Sequence, residues 1–284
     1  MATLVIKGKN GFVGKELKIN AEPLIIYVCG YWNKNIPYAG TEWGVNYWGP
    51  QLKNKAKNYF KTTKELFING AGTKFSNGKD RLNQGSNFAN ERLKNTSSKF
   101  YKEVFNSNRK VMIVSHSMGG AFAEGMLKVL LANSINVQKV LHLSAADTSD
   151  FTINLPEKTY QIDITWDPVL MYKNADDFFK IKGIKYSALV KNPNNDKFGH
   201  MYTKEEAFVW NWFEDLEKIN LTFIRDEVRY IRQPSDGLGP GLTTTLNIKK
   251  YKSSNLLHNT QFIRILKDTK LYHGLNNDNY ETYV

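Results

Sequence analysis

The chain has only one cysteine, Cys29, among its 284 residues, and it has no long apolar run. A single cysteine excludes an intrachain disulfide and a zinc site built from several thiolates. The longest apolar stretch, residues 24–29, is far shorter than the ~20 residues that a membrane-spanning helix needs. The first residues lack the basic head and apolar centre of a signal peptide. We therefore expect a cytoplasmic protein, or one exported by a signal-independent secretion system.

Arginine is also scarce, although the chain is basic. The formal net charge is +12, yet 32 of the 39 basic residues are lysines. The excess lies in residues 1–110, which hold 19 basic against 7 acidic residues. Nucleic-acid binding favours arginine and interleaved aromatic residues, so we expect no nucleic-acid partner. Diffuse positive charge leaves an anionic membrane surface open as a partner.

Apolar runs alternate with segments of helical periodicity through the first 220 residues. The runs are residues 24–29, 66–68, 111–114, 140–143 and 160–164, and the helical segments are 80–105, 119–133 and 203–218. Short continuous apolar runs are typical of parallel strands buried on both faces. The alternation therefore predicts an α/β fold, with a mostly parallel central sheet flanked by helices.

The pattern changes after Asn220. Residues 221–284 read as strand segments around the turn-rich stretch 234–241. We expect two units: an α/β domain over residues 1–220 and a β-rich C-terminal extension over 221–284. The extension is a candidate surface for a protein partner.

The segment that points most clearly to chemistry is 115–120, Ser-His-Ser-Met-Gly-Gly. It joins an apolar run to a helical segment through small residues, with Ser117 at the apex, as a nucleophile elbow does. The amide of Met118 would then be an oxyanion donor at the helix N-terminus. Ser115 stands where the G-x-S-x-G pattern has its first glycine. The alternative is a turn whose serines only cap the helix.

A nucleophilic serine needs a base, and the chain has five histidines. His116 adjoins the serine and is expected to point elsewhere, and His142 falls inside a buried run. His200 lies in a polar loop before a helical segment and is the preferred base. His258 and His273 remain alternatives.

The carboxylate that orients the histidine is expected after a strand between Ser117 and His200. Asp167 fits best, because the following proline ends the strand and fixes the loop. Asp147 is the second choice, and Asp163 would lie within a strand. Either Asp147 or Asp167 alternatively serves only as a turn residue.

A second oxyanion donor is expected from the loop after an earlier strand. Residues 24–29 are followed by Gly30, which permits close approach of the backbone to a ligand. The Tyr31 amide is the preferred donor and that of Trp32 the next. The alternative is an aromatic pair that closes the sheet edge.

These motifs, in this order, resemble the α/β-hydrolase superfamily. Within it, the Asp167-Pro-Val and Gly199-His200 motifs are similar to lipases of the class 3 type, a likeness that spans about residues 22–220. The resemblance implies a catalytic triad of Ser117, His200 and Asp167, with oxyanion donors at Met118 and Tyr31. It also implies an acyl-enzyme reaction that hydrolyses carboxylic esters of lipid type.

Residues 31–48 contain six aromatic side chains. They suit a lid or an interfacial anchor for a lipid substrate, and the alternative is that they pack in the core.

No dinucleotide, phosphate-loop or metal motif is complete, so we expect no cofactor and no metal. The elbow leaves a thioesterase, acyltransferase or peptidase open. Two further alternatives are a non-catalytic binding protein on a hydrolase scaffold and an exported antibacterial lipase effector.

Overall fold

The centre of the molecule is a parallel sheet of six strands. The computed structural model describes residues 7–8, 11–12, 21–30, 40–71, 77–164, 167, 169, 181–184, 186–190, 199–207, 209–210, 213–214, 225–230 and 244–248. Its strands are β1 (Lys7–Gly8), β2 (Gly11–Phe12), β3 (Leu24–Cys29), β4 (Glu65–Asn69), β5 (Val111–His116), β6 (Val137–Leu143), β7 (Thr159–Ile164), β8 (Tyr186–Val190), β9 (Arg225–Tyr230) and β10 (Thr244–Ile248). The six-stranded sheet has the order β4-β3-β5-β6-β7-β8, and every neighbouring pair is parallel.

Helices cover the sheet on both faces. They are α1 (Pro50–Phe60), α2 (Gly78–Lys94), α3 (Gly119–Ala132) and the short α4 (Gly199–Tyr202). Every residue of β3 and β5 is buried, as the continuous apolar runs predict. Side chains on one face pack with α2 and α3 in one core cluster, and those on the other face pack with α1, Trp210 and Phe213 in a second.

Helices α2 and α3 pack in direct backbone contact. A Cβ atom on Gly85 would lie 2.0 Å from the carbonyl oxygen of Phe122, and one on Gly125 would lie 1.8 Å from that of Leu82. No side chain fits in that space, so glycine is required at both positions. This contact holds α3, and with it the turn that begins the helix, at a fixed distance from α2.

Two expected elements differ from the structure, and two observed elements are not among the expectations. The segment 80–105 is not one helix, because α2 ends at Lys94 and residues 101–105 form a separate π-helical turn. The Tyr101 amide donates to the Ser98 hydroxyl at 3.1 Å. Residues 203–218 do not begin a helix at 203, because α4 ends at Tyr202 and a turn covers 203–205 before helical residues resume at 207. Helix α1 and strand β8 are absent from the sequence-based expectations.

The C-terminal region is described at β9 and β10, which pair antiparallel in a sheet of their own. The rest of residues 221–284 lies outside the described part of the chain. A β-rich extension and the division at residue 220 therefore remain predictions.

The only cysteine in the sequence, Cys29, is the last residue of strand β3. Cys29 is buried, and its thiol contacts the Asn69 side-chain oxygen at 3.7 Å. That oxygen also accepts the amide of Ala71 at 3.0 Å, so it fixes the turn after β4. Cys29 precedes Gly30, the residue through which β3 meets the candidate site.

Candidate active site

The turn between β5 and α3 has the backbone of a nucleophile elbow. Ser117 has φ +57°, in the left-handed region that residues with a side chain rarely adopt. Its amide donates to the carbonyl of Leu143 (3.0 Å), and its carbonyl accepts from the amide of Gly120 (3.1 Å). Strain of this kind costs about 1–3 kcal/mol and is concentrated at functional sites. The serine is therefore held at the tip of a tight turn by strand β6 on one side and α3 on the other.

Glycines allow this turn to lie against strand β3. A Cβ on Gly119 would lie 2.5 Å from the carbonyl oxygen of Val28, and one on Gly30 would lie 2.4 Å from the amide nitrogen of Gly119. Gly119 is thus required for the elbow, as the motif predicts. Ser115 is not part of this close packing. Its side chain points to the α3 face, where it hydrogen bonds to His142 (2.6 Å).

An aspartate–histidine pair lies at the same edge of the sheet. Asp167 follows β7, and its Oδ2 is 2.6 Å from Nδ1 of His200 in α4. The other carboxylate oxygen accepts the amide of Val169 (3.0 Å). Because the carboxylate accepts from Nδ1, the neutral His200 ring carries its proton there and leaves Nε2 as a proton acceptor. Asp167 is fully buried and His200 is 7% exposed.

Two contacts tie the His200 turn to the strands that hold the elbow. Nε2 of His116, the last residue of β5, is 2.7 Å from the carbonyl oxygen of His200. The Thr203 hydroxyl is 3.1 Å from that of Ser144, whose amide donates to the carbonyl of Ile162 in β7. The structure therefore brings Ser117, Asp167 and His200 to the carboxyl edge of one sheet, where parallel α/β sheets place their ligand sites.

Of the predicted oxyanion donors, only Met118 is described. It precedes α3, in the first turn of which helix geometry leaves backbone amides without an intrahelical acceptor. Its amide nitrogen is 2.5 Å from the position of a Cβ on Gly30, so the end of β3 adjoins it. Tyr31 and Trp32 lie outside the described residues.

The alternative acids have other partners. Asp147 follows β6 with φ +55° and lies near the buried guanidinium of Arg81 in α2. Burial lowers the pKa of Arg81 to about 10, and the negative charge of Asp147 opposes that shift. Asp163 lies within β7, where it accepts a hydrogen bond from Gln161 (2.9 Å). The alternative bases His258 and His273 are outside the described part of the chain.

A second set of serine, histidine and carboxylate side chains lies under the α3 face. Ser115 contacts Nδ1 of His142, and Nε2 of His142 is 3.0 Å from Glu124 Oε1 in α3. The other oxygen of Glu124 accepts two hydrogen bonds from Asn154, at 2.8 Å and 2.7 Å. Ser115, His142 and Glu124 are each 0% exposed, so no ester reaches the Ser115 hydroxyl. His142 is a satisfied core histidine, as expected for a buried strand.

His116 points to the opposite face of β5 from Ser115 and is enclosed by aromatic side chains. Tyr47 hydrogen bonds to its Nδ1, and the Trp48 ring packs edge-on against it at a centroid distance of 6.3 Å. Burial lowers the pKa of His116 well below its usual value, and the positive charge that His200 acquires on protonation lowers it further. Its hydrogen bond to the His200 carbonyl opposes both effects without overcoming them, so His116 is neutral.

Comparison with known proteins does not assign a family. No family model and no curated protein matches the chain. Solved structures with a similar fold include a Bacillus licheniformis lipase, BlEst2 (13% identity, 74% of this chain and 54% of that chain, TM-score 0.39), and a lipase-esterase related protein from Clostridium acetobutylicum (12%, 69% and 95%, 0.34). Another is Aspergillus fumigatus lipase B (12%, 66% and 51%, 0.38). Likeness at this level carries no argument about activity, which must rest on the geometry of the site.

Two features are absent from the described residues. Among them, no helix is long and apolar enough to cross a membrane. Nor does that part of the chain hold a group of three or more His, Cys, Asp or Glu side chains arranged around a metal ion.

Proposed function

We propose that the protein is a serine hydrolase that cleaves carboxylic esters of lipid type, in the manner of class 3 lipases. One observation carries the proposal: Ser117 has a left-handed backbone at a strand-to-helix turn, and an Asp167–His200 pair is tied to the same sheet edge. The resemblance of the sequence motifs supports the same assignment of roles. The reaction needs no cofactor.

In the proposed reaction, His200 Nε2 takes the hydroxyl proton of Ser117 as its Oγ attacks the ester carbonyl. The Met118 amide, with that of Tyr31 proposed as the second donor, stabilises the oxyanion. Collapse of the tetrahedral intermediate breaks the ester C–O bond, and the His200 imidazolium gives its proton to the leaving alkoxide. Water, activated by the same imidazole, then releases the carboxylic acid and regenerates Ser117. Asp167 keeps the ring in the tautomer that both steps require.

The nucleophile is tested with two serines of one chain. Ser117→Ala and Ser115→Ala are compared with the wild type on p-nitrophenyl butyrate, and each protein is treated with a fluorophosphonate. We expect Ser117→Ala to lose at least about 10³-fold in kcat and all labelling, because the nucleophile is gone. Ser115→Ala should still be labelled and turn over. Equal rates for Ser117→Ala and wild type, or a label found on Ser115, would overturn the proposal.

The lipid substrate class rests on the aromatic segment 31–48. Within its described part, Trp48 is a core residue at 2% exposure, so for this side chain the packing alternative holds. Trp43 is half-buried, and its ring centroid is 6.3 Å from that of Tyr47. Val45, between them in the sequence, is 50% exposed. This apolar stretch lies near the site through the contact of Tyr47 with His116.

Chain-length preference tests that class. The ratio of kcat/KM for p-nitrophenyl palmitate in mixed micelles to that for the butyrate is measured for wild type and Val45→Ser. A lipid hydrolase should favour the long chain, and Val45→Ser should lower the ratio by reducing exposed apolar surface. A preference for the butyrate would contradict the lipid assignment and favour another acyl-transfer activity.

Attachment to an anionic membrane stays a prediction. The exposed Lys61 and Lys64 lie just before β4, at the amino edge of the sheet, which is opposite to the edge that holds Ser117. Their charge is therefore not placed to hold the site against a surface. Co-sedimentation with phosphatidylglycerol and with phosphatidylcholine vesicles at two salt concentrations tests the prediction, since electrostatic binding requires the anionic lipid and weakens with salt.

A further inference from the structure

The residue before the candidate nucleophile binds the backbone of the candidate base. His116 ends β5 and is covalently joined to Ser117, while its ring faces the other side of the strand. Its Nε2 reaches the carbonyl oxygen of His200, 84 positions along the chain, at 2.7 Å. The two imidazole rings lie at a centroid distance of 4.5 Å. His116 is thus joined to Ser117 by the main chain and to His200 by a hydrogen bond, and these two residues are the partners of the proposed proton transfer.

The tautomer of His116 follows from its two neighbours. A carbonyl oxygen only accepts hydrogen bonds, so Nε2 must carry the proton and donate to His200. Nδ1 then has a lone pair, and the Tyr47 hydroxyl donates to it. A protonated His116 would reverse the Tyr47 bond, in which the hydroxyl oxygen would then accept, and would add a positive charge beside the ring that must become an imidazolium. Burial keeps His116 neutral and avoids both effects.

Tyr47 is itself held by the segment that carries His200. The ammonium group of Lys204 donates to the Tyr47 carbonyl (2.6 Å) and lies 4.6 Å from the centre of the Tyr47 ring. The Gly49 amide donates to the Lys204 carbonyl (3.0 Å), and a Cβ on Gly49 would lie 2.5 Å from Glu205 Cα. The contacts of Tyr47 with His116 and Lys204, and of His116 with the His200 carbonyl, therefore join the loop before α1 to the segment that bears the base.

We propose that His116 and Tyr47 are positioning residues for this site, which hold the His200 turn in register with Ser117 through the His200 carbonyl. The proposal rests on the hydrolase function given above. The Asp167 carboxylate orients the His200 ring, whereas His116 fixes its main chain. Proton transfer is sensitive to displacements of about 1 Å, which can lower the rate about 10²-fold, so loss of this bond should act on kcat.

The test is a set of four variants assayed on p-nitrophenyl butyrate. His116→Leu removes both hydrogen bonds, and His116→Gln keeps an N–H donor near the position of Nε2. Tyr47→Phe removes only the hydroxyl, and Tyr101→Phe, in the π-helical turn, is its matched control. We expect His116→Leu to lose about 30-fold in kcat with KM within about twofold of wild type. His116→Gln should recover most of that loss, Tyr47→Phe should lose about fivefold, and Tyr101→Phe should match the wild type.

The outcomes separate this proposal from the function on which it rests. If Ser117→Ala is inactive while a folded His116→Leu keeps the wild-type kcat, or loses only in KM, the positioning role is wrong and the hydrolase stands. If Ser117→Ala is as active as wild type, both are overturned. Thermal unfolding followed by circular dichroism shows whether each variant is folded. Should His116→Leu fail to fold, an unchanged kcat in Tyr47→Phe overturns the proposal by itself.

Discussion

The chain contains two sets of serine, histidine and carboxylate side chains, which differ in their place in the fold and in the backbone at the serine. Ser115, His142 and Glu124 lie under α3, fully buried, with regular backbone at the serine. Ser117 lies at the sheet edge with a left-handed backbone, near the buried pair of Asp167 and His200. The first set satisfies its hydrogen bonds internally, through a direct serine–histidine bond and two bonds from Asn154.

The comparison separates a structural network from a candidate for catalysis. A complete set of hydrogen bonds inside the protein stabilises the fold, because each buried polar group has a partner. A nucleophile elbow holds its serine in a left-handed backbone at a strand-to-helix turn. Of the two serines compared, only Ser117 has that backbone. Residue types alone would have ranked the two sets equally.

The largest expected difference between the two sets is in turnover. Asp167→Asn should lower kcat about 10³- to 10⁴-fold on p-nitrophenyl butyrate, because an amide stabilises the wrong tautomer of His200. Glu124→Gln, which changes the other carboxylate in the same way, should leave kcat within about twofold. Similar losses of kcat in both folded variants would contradict the distinction.

The network around Glu124 should show its effect in stability. Glu124→Ala is expected to lower the free energy of unfolding by about 3 kcal/mol, since it leaves His142 and the Asn154 amides buried without their acceptor. Urea denaturation followed by circular dichroism measures the loss, with Glu157→Ala, at a surface turn, as the control. A loss below about 1 kcal/mol would show that the network does not hold α3 to the sheet.

The backbone contact beside Glu124 should have a somewhat smaller effect. Gly125→Ala places a methyl group against the Leu82 carbonyl, and overpacking of this kind costs about 2 kcal/mol. The matched control is Gly120→Ala in the same helix, where the nearest atom to the new Cβ would be 3.5 Å away. Thermal unfolding should separate the two variants. Equal midpoints would mean that α2 moves aside without cost.

The smallest expected effect is a pH dependence of stability from His116. Burial lowers the pKa of His116 in the folded protein. Below about pH 6.5 the unfolded chain therefore binds a proton at His116 that the folded chain does not bind, and the free energy of unfolding falls. Relative to His116→Gln, the wild type should lose about 1 kcal/mol more between pH 6.5 and 5.5. Urea titrations at both values measure the difference, in which the shared titration of other groups cancels. Parallel losses would show that His116 becomes protonated in the folded protein.

Much of the sheet could be predicted from sequence because its strands are buried on both faces. Residues 24–29 form β3 with the expected bounds, and the runs beginning at 66, 111, 140 and 160 all lie in parallel strands. The elbow was recognisable from its local pattern, because a serine among small residues between an apolar run and a helical segment is typical of a tight strand-to-helix turn. Helix α3 ends one residue before its expected limit.

The remainder depends on contacts that sequence patterns do not encode. Helix α1 buries only Leu52 and Ala56, so its apolar stripe is too narrow to be noticed. The contact of His116 with His200 and the network of Ser115 with Glu124 join residues far apart in the chain. A signal was present, because strand alternation places Ser115 and His116 on opposite faces, but it does not name their partners.

Cys29 gives this protein a natural reporter. Its thiol is the single site in the chain for a disulfide-exchange reagent, and it is enclosed where β3 meets the elbow. Modification therefore requires that edge to open, and at low reagent concentration its rate follows the equilibrium between closed and open forms. The kinetics of colour release from a chromogenic disulfide would thus follow the integrity of the candidate site without any engineered label.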